Sequence, residues 1–253
     1  VQAWVAELCA KRGSSIVRTA YSVLARVLDD AVRDRMLASN PARGVKLPKR
    51  SPQRHVYLTA DQLAHLADES GRYRSLVLLL GVGGLRWGEA AALRVCDVDF
   101  LRRRVGLHRN AVMVSDRVIV GTLKSHKSRT VAVPAFVIDE LAETAKGKGR
   151  DDLLWATATG GYLGPPSATT SWLAYAVARC QKADPTFPRV TAHALRHTAA
   201  SLAIQAGANP KVVQRMLGHA SAAMTLDVYA DLFDSDLDTV AENVAKMWPR
   251  HAN

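Results

Sequence analysis

His193-Ala194-Leu195-Arg196-His197-Thr198 lies inside a run, Val190 to Gln205, that contains neither Gly nor Pro. Such a run reads as a helix. Residues three apart on a helix share a face, so His193 and Arg196 point into one space. Together they offer an imidazole and a planar five-donor guanidinium, a pair suited to a phosphate. Taken alone, a histidine and an arginine at this spacing are ordinarily a surface pair or a capping contact. What changes the reading is their company elsewhere in the chain.

The chain has 253 residues, 48% of them hydrophobic, enough for one large domain, or one medium and one small, with a sizeable core. Its longest apolar run, Leu76 to Leu80 with its flanks, falls well short of the roughly 20 residues of a membrane span. Cys9, Cys96 and Cys180 are far apart and form no CxxC pair; a reduced, cytoplasmic setting fits and a zinc site does not. The net charge of +11 is uneven: +6 over residues 1–50, +8 over 51–229 and −3 over 230–253. A basic body favours a polyanionic partner such as a nucleic acid, and the acidic tail avoids phosphates and meets protein instead.

Upstream of the opening stretch, Gly81-Val82-Gly83-Gly84-Leu85-Arg86-Trp87-Gly88-Glu89 resists two familiar readings. A dinucleotide fingerprint needs Gly where Arg86 stands, and a P-loop needs Lys where Glu89 stands. What remains is a glycine-loosened turn that delivers Arg86 just before a helix from Trp87 to about Val95. Glu89, three residues on, can hold a guanidinium or support an imidazole. From Arg103 to Val133, alternating β-branched residues broken by Arg109-Asn110, Ser115-Asp116 and Ser125–Ser128 read as a three-stranded antiparallel meander. Its last turn, with Lys124, His126, Lys127 and Arg129, is a cationic hairpin tip able to reach into a groove.

Around these lie further helices: Thr59 capping one with Gln62 in capping-box register, then Tyr73 to Leu80, Pro134 to Lys146, Ser167 to Gln181, Lys211 to Leu217 and one reaching Ala230. Trp4, Trp87, Trp155 and Trp172 are expected in the core, and His65 and His197 as structural or solvated. Residues 1–46 read as two helices, the second capped by Ser15, running to about Met36 and carrying a stripe of Tyr21, Leu24, Leu28 and Val32. Two helices are too few for an independent core. With no Met at the start, the chain reads as a fragment whose N-terminal portion is missing. A basic linker, residues 47–57, follows, and the larger domain, 58–253, ends in a tail helix over 234–248 with Leu237, Val240, Val244 and Trp248 on one face. Lys46, Lys49, Arg50 and Arg54, in and beside the linker, are placed to lie along a phosphate backbone, with Lys127 and Arg129 of the hairpin tip.

The order of the parts carries a resemblance: Gly-Leu-Arg-Trp-Gly-Glu, Thr-Leu-Lys in a hairpin, His-Ala-Leu-Arg-His-Thr, Leu-Gly-His, then Tyr229 ten residues after His219. The chain resembles the tyrosine recombinases, the phage-integrase type of site-specific DNA recombinase, over residues 58–230. The resemblance implies a mainly α fold with a small antiparallel β-sheet (α+β), in which a catalytic domain is preceded by part of a helical core-binding domain in residues 1–46. It implies that Arg86 and Arg196 hold the scissile phosphate, Tyr229 is the nucleophile, His193 and His219 hydrogen-bond the phosphate or assist proton transfer, and Glu89 supports the site. Lys124 resembles the hairpin general acid, with Lys127 close in the same turn. Ala220 stands where a Ser is common, and Ala230-Asp231 follows Tyr229 where a His often comes. The implied partners are double-stranded DNA carrying a recombination site and further copies of the chain, in a tetramer on two duplexes.

The chemistry stands on its own terms. Two guanidiniums neutralise a phosphodiester and stabilise the charge that builds on its non-bridging oxygens. A phenol attacks only with help from a neighbouring base or cation. The departing 5′-oxygen needs a proton, which a desolvated lysine can give. The sequence offers no HExxH or carboxylate cluster for a metal, and no cofactor is expected. Competing readings are a type IB topoisomerase-like relaxing activity, a catalytically silent DNA-binding relative, and, on the cadence of Lys211 to Tyr229, a helix-turn-helix repressor.

Overall fold

The computed structural model describes residues 1–49, 55–115, 117–122, 128–233 and 237–247. The chain divides into two compact units, Val1–Arg54 and His55–Asn253. The division falls inside the basic stretch 47–57.

The first unit contains α1 (Gln2–Lys11) and α2 (Ser14–Arg33). Gly13, not Ser15, takes the N-cap position of α2, in an extended conformation with no side-chain cap bond. Ser15 is already helical, its carbonyl accepting from the Thr19 hydroxyl. Arg35, at φ 61°, is left-handed and stops the helix before Met36. The expected apolar stripe is only half-buried; the fully buried residues are Val5, Val17, Ala25 and Ala42. Polar bonds tie the following segment onto α2: Tyr21 Oη donates to Ala42 O at 2.5 Å, Asn40 Nδ2 to Ala25 O at 2.9 Å and Arg18 Nη1 to Pro48 O at 2.7 Å.

The second unit is built around a central helix. Thr59 and Gln62 form the expected reciprocal capping box at the start of α3 (Ala60–Asp68). A 3₁₀ turn, Gly71–Tyr73, leads into α4 (Arg74–Gly83), whose residues Leu76 to Leu80 are all buried. A helix apolar all round belongs in the interior, and α4 packs against α3, α6 (Ala135–Ala145) and α8 (Ala192–Gln205). At Gly81 a Cβ would sit 2.4 Å from Leu63, so glycine lets α3 and α4 approach this closely. Gly84, at φ 66°, ends α4 in the left-handed conformation. The next helix, α5 (Trp87–Ala91), is shorter than its sequence pattern predicts and gives way to a 3₁₀ turn, Val95–Asp97.

The β region corrects the expected meander. Among the described residues, five strands form two antiparallel sheets. The first has the order β1 (Val98–Asp99), β2 (Arg104–Leu107), β5 (Arg129–Ala132). The second is a separate ribbon of β3 (Arg109–Val114) and β4 (Arg117–Thr122). The chain breaks at His108, between β2 and β3, and β2 pairs instead with β5, Val105 opposite Val131. The expected strand Leu153–Ala156 reduces to two isolated bridges. Helix α7 (Trp172–Ala183) starts five residues later than expected. Ser167 Oγ accepts from the amides of Thr169 and Thr170 at 3.3 Å each, a local turn that competes with helix, and Ser171 caps instead.

Thr191 caps α8, and Asn209 caps α9 (Pro210–Leu217), which closes on left-handed Gly218. Helices α10 (Ala222–Phe233) and α11 (Leu237–Met247) follow. Trp155 is buried and donates from Nε1 to Ser75 Oγ at 3.0 Å, while Trp4, expected in the core, is 37% exposed. Trp172 stacks on Tyr73 with ring centroids 4.4 Å apart.

Candidate active site

Two glycine-dependent turns, one close approach at a helical glycine and one buried helix converge. The first turn, after α4, carries Arg86, whose backbone N–H donates to Glu89 Oε2 at 2.8 Å and caps α5. The Arg86 guanidinium reaches Glu89 Oε1 at 3.1 Å and Gly218 O at 3.2 Å. The second turn, after α9, carries His219; its Nδ1 lies 3.0 Å from Thr225 Oγ1. Gly88 permits the close approach: a Cβ there would meet Ala111 O at 2.5 Å, which brings α5 against β3.

Helix α8 supplies the rest. Leu195 to Ser201 are all buried, so its polar side chains must find partners inside the protein. Arg196 is 4% exposed and donates to Gly84 O and to Leu217 O, each at 2.6 Å. It thereby ties the two turns together. Burial, with repulsion from Arg86, pushes its pKa down to about 9, which leaves it cationic at neutral pH. His193, one turn earlier, is exposed, with its ring edge-on to His197 at 4.7 Å. Burial of the ring by its neighbours, then the charges of Arg196, His55 and Arg86, lower its pKa.

Tyr229 on α10 is 1% exposed, and its hydroxyl lies 2.8 Å from His197 Nδ1. Burial raises the phenol to about 12, against the opposing pull of Arg196. His197 is itself buried, its ring tilted 38° against that of His55 at 4.2 Å, and pushed down to about 4 by burial and by the neighbouring histidines and Arg196. Of the two expected readings of His197, structural or solvated, the structure favours the first: the ring is buried and is the direct hydrogen-bond partner of Tyr229. Its four-residue spacing from His193, which puts both rings on one helical face, was the signal available in the sequence. His219 is likewise lowered to about 4, by burial and then by Arg196, Arg86 and Arg129.

Glu89 is 3% exposed. Arg129 grips it with two bonds, Nη1 to Oε1 and Nη2 to Oε2, both 2.7 Å. Burial pushes the carboxyl up, but the bonds and charge of Arg129, then those of Arg86, outweigh it and hold the pKa below the ordinary value. Arg129 was expected at a hairpin tip, lying along a phosphate backbone; instead it is turned onto Glu89. It belongs to β5 and faces inward, because strand alternation puts it on the side of buried Val131.

A cleft of about 830 Å³ opens between these turns, lined by Arg86, Arg129, Arg215, Gly218 and His219 among others. Tyr229 is not among the residues that line it. Lys46 and Lys49 are exposed on the first unit. Lys124, Lys127, Arg50 and Arg54 lie outside the described residues, as do most side chains of the expected tail face. Among the described residues no three His, Cys, Asp or Glu side chains are grouped to hold a metal ion, and no helix is long and apolar enough to cross a membrane.

Comparison with known proteins gives this geometry a setting. The model of the phage integrase family matches residues 57–236. The integrase of Mycobacterium phage L5 is 31% identical over 257 residues, covering 98% of this chain and 67% of that protein. The chain spans 61% to 68% of the length of the three mycobacteriophage integrases it matches. Among solved structures, the Tn1549 transposon integrase in complex with transposon right-end DNA superposes with a TM-score of 0.80 at 20% identity, covering 95% of this chain and 84% of that one. A λ integrase dimer bound to a COC′ core site superposes with a TM-score of 0.60 at 20% identity, covering 88% and 78%.

Proposed function

We propose a function from the premise that this chain belongs to the phage integrase family of tyrosine recombinases: it carries out site-specific DNA recombination by transesterification. Double-stranded DNA with a recombination site is its partner. Relatives of the same fold have been solved on such DNA, one of them as a dimer.

The observation that carries the reading is the shared turn. Arg86 bonds Gly218 O and Arg196 bonds Leu217 O, so both guanidiniums and His219 are fixed by the same three residues. In the proposed reaction Arg86 and Arg196 hold the scissile phosphate and stabilise its developing charge. Tyr229 Oη passes its proton to His193 or His219 and attacks phosphorus, forming a 3′-phosphotyrosine and breaking the bond to the 5′-oxygen. That oxygen leaves with a proton from Lys124, or from Lys127 beside it. His193 and His219 hydrogen-bond the phosphate or assist proton transfer from the phenol, and Glu89 supports Arg86. A 5′-hydroxyl from the second duplex then attacks the phosphotyrosine and releases the phenol. The phosphodiester energy is kept throughout, so no ATP is consumed.

Tyr229 must travel for this. Buried against His197, its hydroxyl sits outside the cleft, so α10 moves before attack. The exposed lysines Lys46 and Lys49, with Arg50, Arg54 and Lys127, are proposed backbone contacts. A tetramer on two duplexes, joined through α11, completes the reading, and the protein acts where its DNA is, in the cytoplasm of a prokaryotic cell. The test is strand joining: DNA cut at the site that the protein selects from a randomised pool should be rejoined to a new 5′-hydroxyl strand without ATP. Nicking at arbitrary sequence would instead support the topoisomerase-like alternative.

A further inference from the structure

Glu89 has two carboxylate oxygens and four donors around them. Arg129 supplies the two shortest guanidinium bonds, 2.7 Å each; Arg86 adds one from Nη1 at 3.1 Å and one from its backbone N–H at 2.8 Å. Arg129 Nε also donates to Met216 O at 3.3 Å, and Gly218 lies against its guanidinium, where a Cβ would come within 2.9 Å. One side chain thus touches the strand β5, the α5 turn and the α9 turn. Its side chain is 13% exposed, against 37% for Arg86. Both cations that share Glu89 line the cleft, and Arg86 is the more exposed of the two.

We infer that Arg129 is a positioning residue: it satisfies Glu89 so that Arg86 keeps its guanidinium for the DNA phosphate. This rests on the phosphate role of Arg86 proposed above. A buried carboxylate does not stay uncompensated. With Arg129 removed, the nearest cation able to make a two-point bond to Glu89 is Arg86, which is drawn back from the cleft into the vacated position. The His219 turn loses its Met216 anchor at the same time. Lysine cannot replace Arg129, because a point charge does not span both oxygens and the Met216 carbonyl.

The test compares Arg129→Gln, Arg129→Lys and the double variant Glu89→Gln/Arg129→Gln with the unaltered chain. The substrate is a nicked suicide duplex bearing the sequence that the protein selects from a randomised pool. Binding is measured across salt concentrations, and covalent adduct formation at saturating protein. Arg129→Gln should bind with unchanged affinity and salt slope, while its saturating adduct rate falls about 10²-fold, the scale of a displaced reacting group. Arg129→Lys should regain little. The double variant should recover about tenfold over Arg129→Gln, because no carboxylate remains to pull Arg86 away. A merely structural role gives no such recovery.

Weakened binding with a salt slope smaller by about one and a normal saturating rate would make Arg129 a phosphate contact and overturn the inference. So would a double variant no faster than Arg129→Gln, or an Arg129→Gln rate equal to the unaltered one. If Arg129→Gln does not fold, the other two variants decide: the inference stands if the double variant exceeds Arg129→Lys and falls if it does not. Absence of any adduct with the unaltered protein is a different failure, which overturns the phosphotransfer reading itself and the inference with it.

Discussion

The Tyr229 hydroxyl lies 2.8 Å from His197 Nδ1, with both side chains buried. The imidazole, lowered to about 4, is far too weak a base to take a proton from a phenol raised to about 12. The contact is therefore a hydrogen bond between two neutral groups, and it ties α10 to α8. His197→Ala leaves the phenol unsatisfied in the interior, at a cost of about 1–3 kcal/mol. We expect faster amide hydrogen exchange along α10 and adduct formation at least as fast as in the unaltered protein. Lost adduct formation with unchanged exchange would give His197 a chemical role instead.

Arg196 joins the Gly84 and Leu217 carbonyls with two 2.6 Å bonds. Arg196→Lys keeps a charge but cannot bridge both carbonyls and still face a phosphate. Adduct formation should fall about 10²–10³-fold, the usual cost of one lost transition-state donor. DNA binding, measured by band shift, should be largely retained.

Gly218 is left-handed at φ 65°, and a Cβ there would press on the Arg129 guanidinium at 2.9 Å. Gly218→Ala combines backbone strain with displacement of Arg129. Thermal or denaturant unfolding should show a loss of about 1–3 kcal/mol, with a drop in adduct formation beyond that of an equally destabilised core variant such as Leu79→Ala.

His197 and His219 are both held near 4 against an ordinary 6.5, chiefly by burial. Their folded-state values are depressed, so below 6.5 the unfolded chain binds protons that the folded chain refuses. Their contribution to stability is complete above 6.5 and is lost as pH falls toward 4. The melting temperature should drop between pH 7 and pH 4.5, and His197→Asn should flatten that drop. An identical slope in the variant would contradict the buried, neutral state of this ring.

The parts of the fold legible in sequence were those set by local rules. The Thr59–Gln62 box, the Pro210 helix start and the left-handed glycines at 84 and 218 follow from backbone chemistry within a few residues. The meander misled because strand pairing is not local: β2 skips the ribbon β3–β4 to pair with β5, and alternation alone does not say which neighbour a strand chooses. The site shows the same limit. Glu89 and Arg129 meet across 40 residues, and His197 and Tyr229 across 32. A basic residue near a turn reads as a phosphate contact until its strand partner is known, although the inward register of Arg129 with Val131 was already present in the alternation.

The most direct test of the account is trapping on the nicked suicide duplex with EDTA present, comparing the unaltered chain with Tyr229→Phe on a denaturing gel. The account predicts a covalent protein–DNA band that forms without free divalent metal and disappears in Tyr229→Phe. A band that persists in Tyr229→Phe, or no band on a site the protein demonstrably binds, would contradict it.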